Sequence, residues 1–205
     1  MYDEIIYDLE TQKLFEDIDT NNPADLKLSV ISLYKRKIDK DYNELEGKMY
    51  TFWHSDLNDM WSLFSNVDRI IGFNSLSFDN QVLRPLCSLY DFSKLNHFDI
   101  LAEVKKVLGH RLSLNALATQ TLGISKTDVG TNAVLYWRKG DKLSLDKLKK
   151  YCQADVKVTK DVYDYVLKKG HLSYKDKWNT VRKVELDFSY QNKSDDSTSD
   201  QISLF

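Results

Sequence analysis

Clustered cysteines, spaced histidines and long apolar runs are scarce in this chain of 205 residues, and each scarcity removes a class of function. The two cysteines, Cys87 and Cys152, fall in no C-x-x-C or zinc-like spacing, so they read as reduced, small core residues. Four scattered histidines, His54, His97, His110 and His171, offer no ligand spacing either, which speaks against zinc. No apolar run is long enough to cross a bilayer, and no basic-then-apolar segment opens the chain as a signal peptide would. A cytoplasmic protein without a membrane partner is expected. Overall charge is nearly balanced, 29 Lys plus Arg against 31 Asp plus Glu, so no global basic excess announces nucleic acid. Locally the balance differs: residues 1–60 carry a net charge of −7 and residues 104–150 a net charge of +7. With 42% hydrophobic and 12% aromatic residues, the chain is sized and composed for one main core.

The apolar pattern predicts three strands first, at the N-terminal stretch around Ile5 and Ile6, at Leu26 to Arg36 and at Lys48 to His54, with Glu44 to Gly47 as a turn. A short helix is expected over Asp56 to Phe64, a strand over Arg69 to Asn74, and a helix over Ser77 to Tyr90 kinked by Pro85. Next come a short strand at His97 to Ile100 and helices at Leu101 to Leu108 and from a Ser113 cap to Gly123. Residues 124–143 read as a loop with basic and aromatic members, Lys126, Tyr136, Trp137 and Arg138. A long helix over Leu145 to Leu167, closed by Gly170, precedes a weakly alternating strand or hairpin within Leu172 to Phe188. Strands first, then strands alternating with helices, predict an α/β protein whose mixed sheet is flanked by helices.

Carboxylates sit where this pattern expects burial. Asp8 and Glu10 share one face of the first strand, their Cα atoms about 7 Å apart. Crowded beside Ile5 and Ile6, they must take up a proton or hold a cation. Asp79 follows a buried strand where the next helix begins, a place where an acid also suits the helix dipole. On the long helix, Leu148, Cys152, Thr159, Val162 and Val166 define the packed face, and Asp155 falls inside that stripe with Tyr151 one turn earlier. Asp161 and Asp164 are rotated away, toward solvent or a neighbouring loop.

These residues resemble a known family. Tyr7-Asp8-Leu9-Glu10-Thr11, Gly72-Phe73-Asn74 through Phe78-Asp79, and Tyr151-Cys152-Gln153-Ala154-Asp155 look like the three motifs of the DEDD exonucleases, which are ribonuclease H-like 3′–5′ exonucleases. The Tyr-x-x-x-Asp third motif resembles the tyrosine branch (DEDDy), where DNA polymerase proofreading domains belong, and the likeness extends to bacterial exonucleases related to the family-B proofreading domain. The resemblance covers about residues 1–170, and a ribonuclease H-like domain is expected over residues 1–188. It further implies that Asp8, Glu10, Asp79 and Asp155 bind two divalent ions, Mg²⁺ or Mn²⁺, about 3.5–4 Å apart. Tyr151 would orient the attacking water, and Asn74 and Phe78 would contact the terminal nucleotides. Lys126 and Arg138 are phosphate-binding candidates on charge alone.

From Ser189 the chain turns to serine and aspartate without apolar residues, so residues 189–200 are expected to be a disordered linker. It leads to Gln201-Ile202-Ser203-Leu204-Phe205, which is similar to the bacterial sliding-clamp-binding peptide. Gln201 would hydrogen-bond the clamp, while Ile202, Leu204 and Phe205 would supply the apolar contacts. The expected function is metal-dependent 3′–5′ hydrolysis of single-stranded DNA ends, in replication or repair. Two alternatives share the motifs: an exoribonuclease with the same site, and a clamp-tethered nucleic-acid-binding module that does not cleave.

Overall fold

The computed structural model describes residues 1–124 and 130–190. Alternating apolar and polar residues build the first three strands, β1 (Tyr2–Thr11), β2 (Leu28–Ile38) and β3 (Glu44–Trp53), as an antiparallel meander. Strand β4 (Arg69–Gly72) then pairs parallel to β1, and β5 (His97–Asp99) parallel to β4. The sheet order is β3-β2-β1-β4-β5, so β1 lies at its centre. This is the mixed α/β sheet, antiparallel first and parallel after, that the sequence predicts.

Helices α1 (Asp79–Leu83), α2 (Ile100–Leu108), α3 (Leu114–Leu122), α4 (Gly130–Lys139) and α5 (Lys142–Lys169) follow, and β6 (His171–Lys175) and β7 (Val181–Glu185) close the chain as a separate hairpin. The helix ends obey local chemistry. Ser113 accepts a hydrogen bond from Ala116 N at 3.1 Å and Asp141 one from Ser144 N at 3.0 Å, each satisfying a free amide of the first turn. Gly123 and Gly170 close α3 and α5 at φ 71° and 72°, where a side chain would be strained.

Side chains of β1 alternate between two cores. Ile5, Tyr7 and Leu9 join Leu33, Trp61, Phe64 and Phe92 on one face of the sheet. Ile6 joins Val156, Val162, Tyr163 and Val166 of α5 on the other, with α2, α3 and the hairpin. The row Glu4, Ile6, Asp8, Glu10 therefore runs beneath the long helix. The stripe expected on α5 is buried throughout: Leu148, Cys152, Thr159 and Val162 have no exposure and Val166 has 2%.

Several boundaries differ from the sequence reading. The turn after β2 lies at Asp39 to Asn43, where Asp39 accepts from the amides of Asp41 and Asn43 at 2.8 Å, and Glu44 to Gly47 already belong to β3. Asp56 to Phe64 forms no α-helix. Only Trp61–Phe64 coils, as a tight 3-10 turn, while Met60, Trp61 and Phe64 bury as their spacing implies. The helix after β4 stops at Leu83 instead of continuing through a kink, because Pro85 lacks the amide to extend it. Residues 130–139 form helix α4 where a loop was expected. Ala133 and Val134 are buried, and Ala133, Tyr136 and Trp137 pack with Val30, Leu148 and Cys152, tertiary contacts that outweigh a weakly helical sequence.

Candidate active site

Three chain segments converge at the C-terminal end of β1. The strand itself supplies Asp8 and Glu10, in register with Ser32 and Val30 of β2. Helix α5 crosses that face and is held to it by Cys152, whose thiol donates to the Asp8 carbonyl at 3.3 Å. One turn past the Tyr151–Cys152 step, Asp155 is carried to the strand, 6% exposed. The outcome is a group of carboxylates: oxygen atoms of Asp8, Glu10 and Asp155 all lie within 4.8 Å of one another.

Such spacing suits a divalent cation. Hard ions such as Mg²⁺ and Mn²⁺ take oxygen ligands at a little over 2 Å, so two oxygens on one ion fall within about 4–5 Å of each other. The donor set is carboxylate alone, hard oxygen ligands of the kind such divalent ions take. Three like charges crowded beside a core repel one another, and an ion among them relieves that repulsion.

Asp79 is placed differently. As the first residue of α1 it is 4% exposed, and its carboxylate takes hydrogen bonds from its own amide and from that of Leu9, the residue between Asp8 and Glu10. Burial, with the nearby charge of Asp99, pushes its pKa up to about 7. It flanks the strand that carries the pair but is not one of the three acids grouped within 4.8 Å.

Tyr151 hydrogen-bonds to Asp155. Burial, and then the charges of Asp155, Glu10 and Asp8, raise its pKa well above the ordinary phenol value, so the hydroxyl stays protonated and acts as a donor. Of the other helix acids, Asp161 is half-buried, whereas Asp164 does not face solvent or a loop. It forms an ion pair with Arg36 of β2 at 2.6 Å.

The loop from β4 to α1 is shaped by a close approach and a buried clamp. A Cβ on Gly72 would stand 2.5 Å from that of Ser75, so only glycine lets the chain fold over there. Asp99, 4% exposed at the start of α2, accepts from Asn74 N at 2.8 Å and Leu76 N at 3.0 Å as well as from Leu101 N at 2.9 Å. Asn74 is thereby held at φ 64°, lining a cavity of about 410 Å³ that also reaches Asp8. Phe78 is half-buried, edge-on to Phe15 with ring centroids 6.2 Å apart, and packs toward the opposite core.

Sequence reasoning passed over Asp99 and Arg111. An aspartate directly before an amphipathic helix is a capping signal, but a strand drawn to Ile100 hides it. Arg111 carried no signal beyond its place in the basic band. Arg138 pairs with Asp17 at the surface. Lys126, residues 191–200 of the expected linker, and Gln201, Ile202, Leu204 and Phe205 lie outside the described residues. Tyr190 is not loose as the linker reading expects: its ring stacks on Tyr2 at 3.7 Å and its hydroxyl donates to Glu4 at 2.8 Å. Among the described residues no helix is long and apolar enough to cross a membrane.

Comparison with known proteins agrees with this architecture. Residues 5–167 match RNase_H_2, a family of the RNase_H superfamily. No curated protein matches. Among solved structures, the family B DNA polymerase from the hyperthermophilic archaeon Pyrobaculum calidifontis superposes with a TM-score of 0.58 at 15% identity, over 82% of this chain and 25% of that one. The zinc-bound E. coli ExoI–ssDNA complex gives 0.47 at 15% identity, over 82% of this chain and 41% of that one. The chain thus spans less than half the length of either.

Proposed function

Because this chain belongs to the RNase_H superfamily, with a ribonuclease H-like fold, we propose that it is a metal-dependent 3′–5′ exonuclease acting on single-stranded DNA ends. The observation that carries the proposal is the convergence of Asp8, Glu10 and Asp155 within 4.8 Å at the end of the central strand. The resemblance of the three acidic segments to the DEDDy motifs supports the exonuclease reading, and the fold shared with a family B DNA polymerase supports DNA as the polymer.

In this reading Asp8, Glu10 and Asp155 hold divalent ions, Mg²⁺ or Mn²⁺, with Asp79 completing the set from α1. Ions bound there supply charge for the attacked phosphate and lower the pKa of bound water. Tyr151, hydrogen-bonded to Asp155, is placed to orient the attacking water. Asp99 fixes the backbone at Asn74, which positions the Asn74 amide beside Asp8 for the substrate end. Gln201, Ile202, Leu204 and Phe205 would bring the enzyme to a sliding clamp in replication or repair.

Digestion of 5′-labelled single-stranded DNA and RNA of matched sequence, with Mg²⁺ or Mn²⁺, tests the proposal. Stepwise shortening of the DNA from its 3′ end is expected, with at least a 10³-fold loss in Asp8→Ala. Faster cleavage of the RNA would reassign the substrate. Binding of either strand without turnover would leave a non-catalytic module.

A further inference from the structure

The cavity beside Asp8 is lined by one cation, Arg111, that nothing above uses. Its walls are Phe73, Leu101, Leu112 and Leu114, its polar members Asp8, Asn74, Arg111 and Ser113. Arg111 donates from its guanidinium to the Asn74 side-chain oxygen at 2.7 Å. It is exposed, and it also lines an adjoining cavity of about 170 Å³ together with Lys105 and Asn74.

The backbone around Arg111 is held at both ends, while its side chain is exposed. Gly109 closes α2 at φ 75° and Ser113 caps α3, so the short connection between the helices is pinned at both ends. Across the cleft Asn74 is pinned by Asp99. Two rigid lips are therefore joined by a single hydrogen bond made by a long, solvent-reaching side chain.

We propose that Arg111 is the positioning residue for the terminal nucleotide: it exchanges its bond to Asn74 for the nucleotide's 5′-phosphate, while the nucleoside occupies the apolar cleft. The inference rests on the exonuclease reading and adds to it a cation contributed by the α2–α3 connection. Three features argue for this occupant. A volume of about 410 Å³ lies near the lower end of the ~300–1,000 Å³ range of small-molecule sites, a size for one nucleotide and not for several. The leucine and phenylalanine walls suit a base or sugar face. A planar guanidinium within reach of the same space as Asp8 pairs bidentately with phosphate oxygens, and releasing Asn74 frees its side-chain oxygen to accept from the sugar or base.

The test titrates thymidine 5′-monophosphate, in the presence of Mn²⁺, into wild type, Arg111→Ala and Arg111→Lys, and measures KM and kcat on a single-stranded oligothymidylate. Arg111→Ala should weaken the mononucleotide at least tenfold and raise KM by a similar factor, the loss falling on KM more than on kcat, and Arg111→Lys should recover part of it. Melting temperatures should match, since the side chain is exposed. Equal mononucleotide affinity in wild type and Arg111→Ala would overturn the proposal. Should wild type hydrolyse no oligonucleotide, the exonuclease reading falls, and the mononucleotide titration by itself still decides the role of Arg111.

Discussion

Glu4 and Asp8 occupy the same face of β1, four residues and about 13 Å apart, and their surroundings are opposite. Glu4 has no exposure and is matched on every side: Arg36 Nε lies at 2.8 Å, and the hydroxyls of Tyr163 and Tyr190 donate at 2.9 and 2.8 Å. Arg36 in turn holds Asp164 through two bonds, at 3.0 and 2.6 Å, and Arg69 donates to Tyr163 at 2.7 Å. Asp8 instead meets two further carboxylates within 4.8 Å. On α5, the eight residues from Asp155 to Tyr163 span about 12 Å, which matches the strand distance. The satisfied network at one end thus sets the register that brings like charges together at the other.

The contrast can be tested from its stable end first. Arg36→Ala leaves the buried Glu4 without its cation, while Asp164 keeps Lys160 at 2.9 Å, and should destabilise the protein by about 3–5 kcal/mol, roughly 10 °C in Tm, with little change in metal affinity. A variant that melts like wild type would mean the network holds nothing in place. At the crowded end the sign reverses. Saturating Mn²⁺ should raise the Tm of wild type, by about 2–3 kcal/mol of linkage at a hundredfold excess over Kd, and should not raise that of Asp155→Asn. An equal rise in both would show the ion binding elsewhere.

The smallest expected effect concerns Asp79, whose pKa moves from 3.8 to about 7. A raised carboxyl pKa stabilises the fold fully below the ordinary value, and that contribution is lost as pH rises through 7. Without divalent ions, Asp79→Asn should therefore gain a few degrees in Tm on wild type between pH 5 and pH 8. A difference that is the same at both values would show that burial of this charge has no energetic consequence.

What the sequence discloses follows the same division. Asp8, Glu10 and Asp155 are legible because a carboxylate breaks an apolar period, and the strand and helix periods place them on faces that must meet. The network around Glu4 is not, since Glu4, Arg36 and Arg69 look like ordinary strand polars until β2, α5 and residues 188–190 close around them. Helix α4 escapes notice for a related reason, its packing depending on Val30, which is remote in sequence, and on Leu148 of the next helix. The 3-10 turn at Trp61–Phe64 has helical apolar spacing without a helix, because burial alone fixes that spacing. Asp79 is read to the correct helix end, yet its hydrogen bond to the Leu9 amide depends on a loop geometry set by Gly72 and Asp99.

The stacking of Tyr190 on Tyr2 also has a practical consequence for handling the protein. It fixes the point of departure of everything after residue 190 at the Glu4 end of the row, on the order of 15–20 Å from the acids. A fluorophore or affinity handle joined at residue 190 would sit at the Glu4 end of that row, leaving the carboxylate end free for substrate.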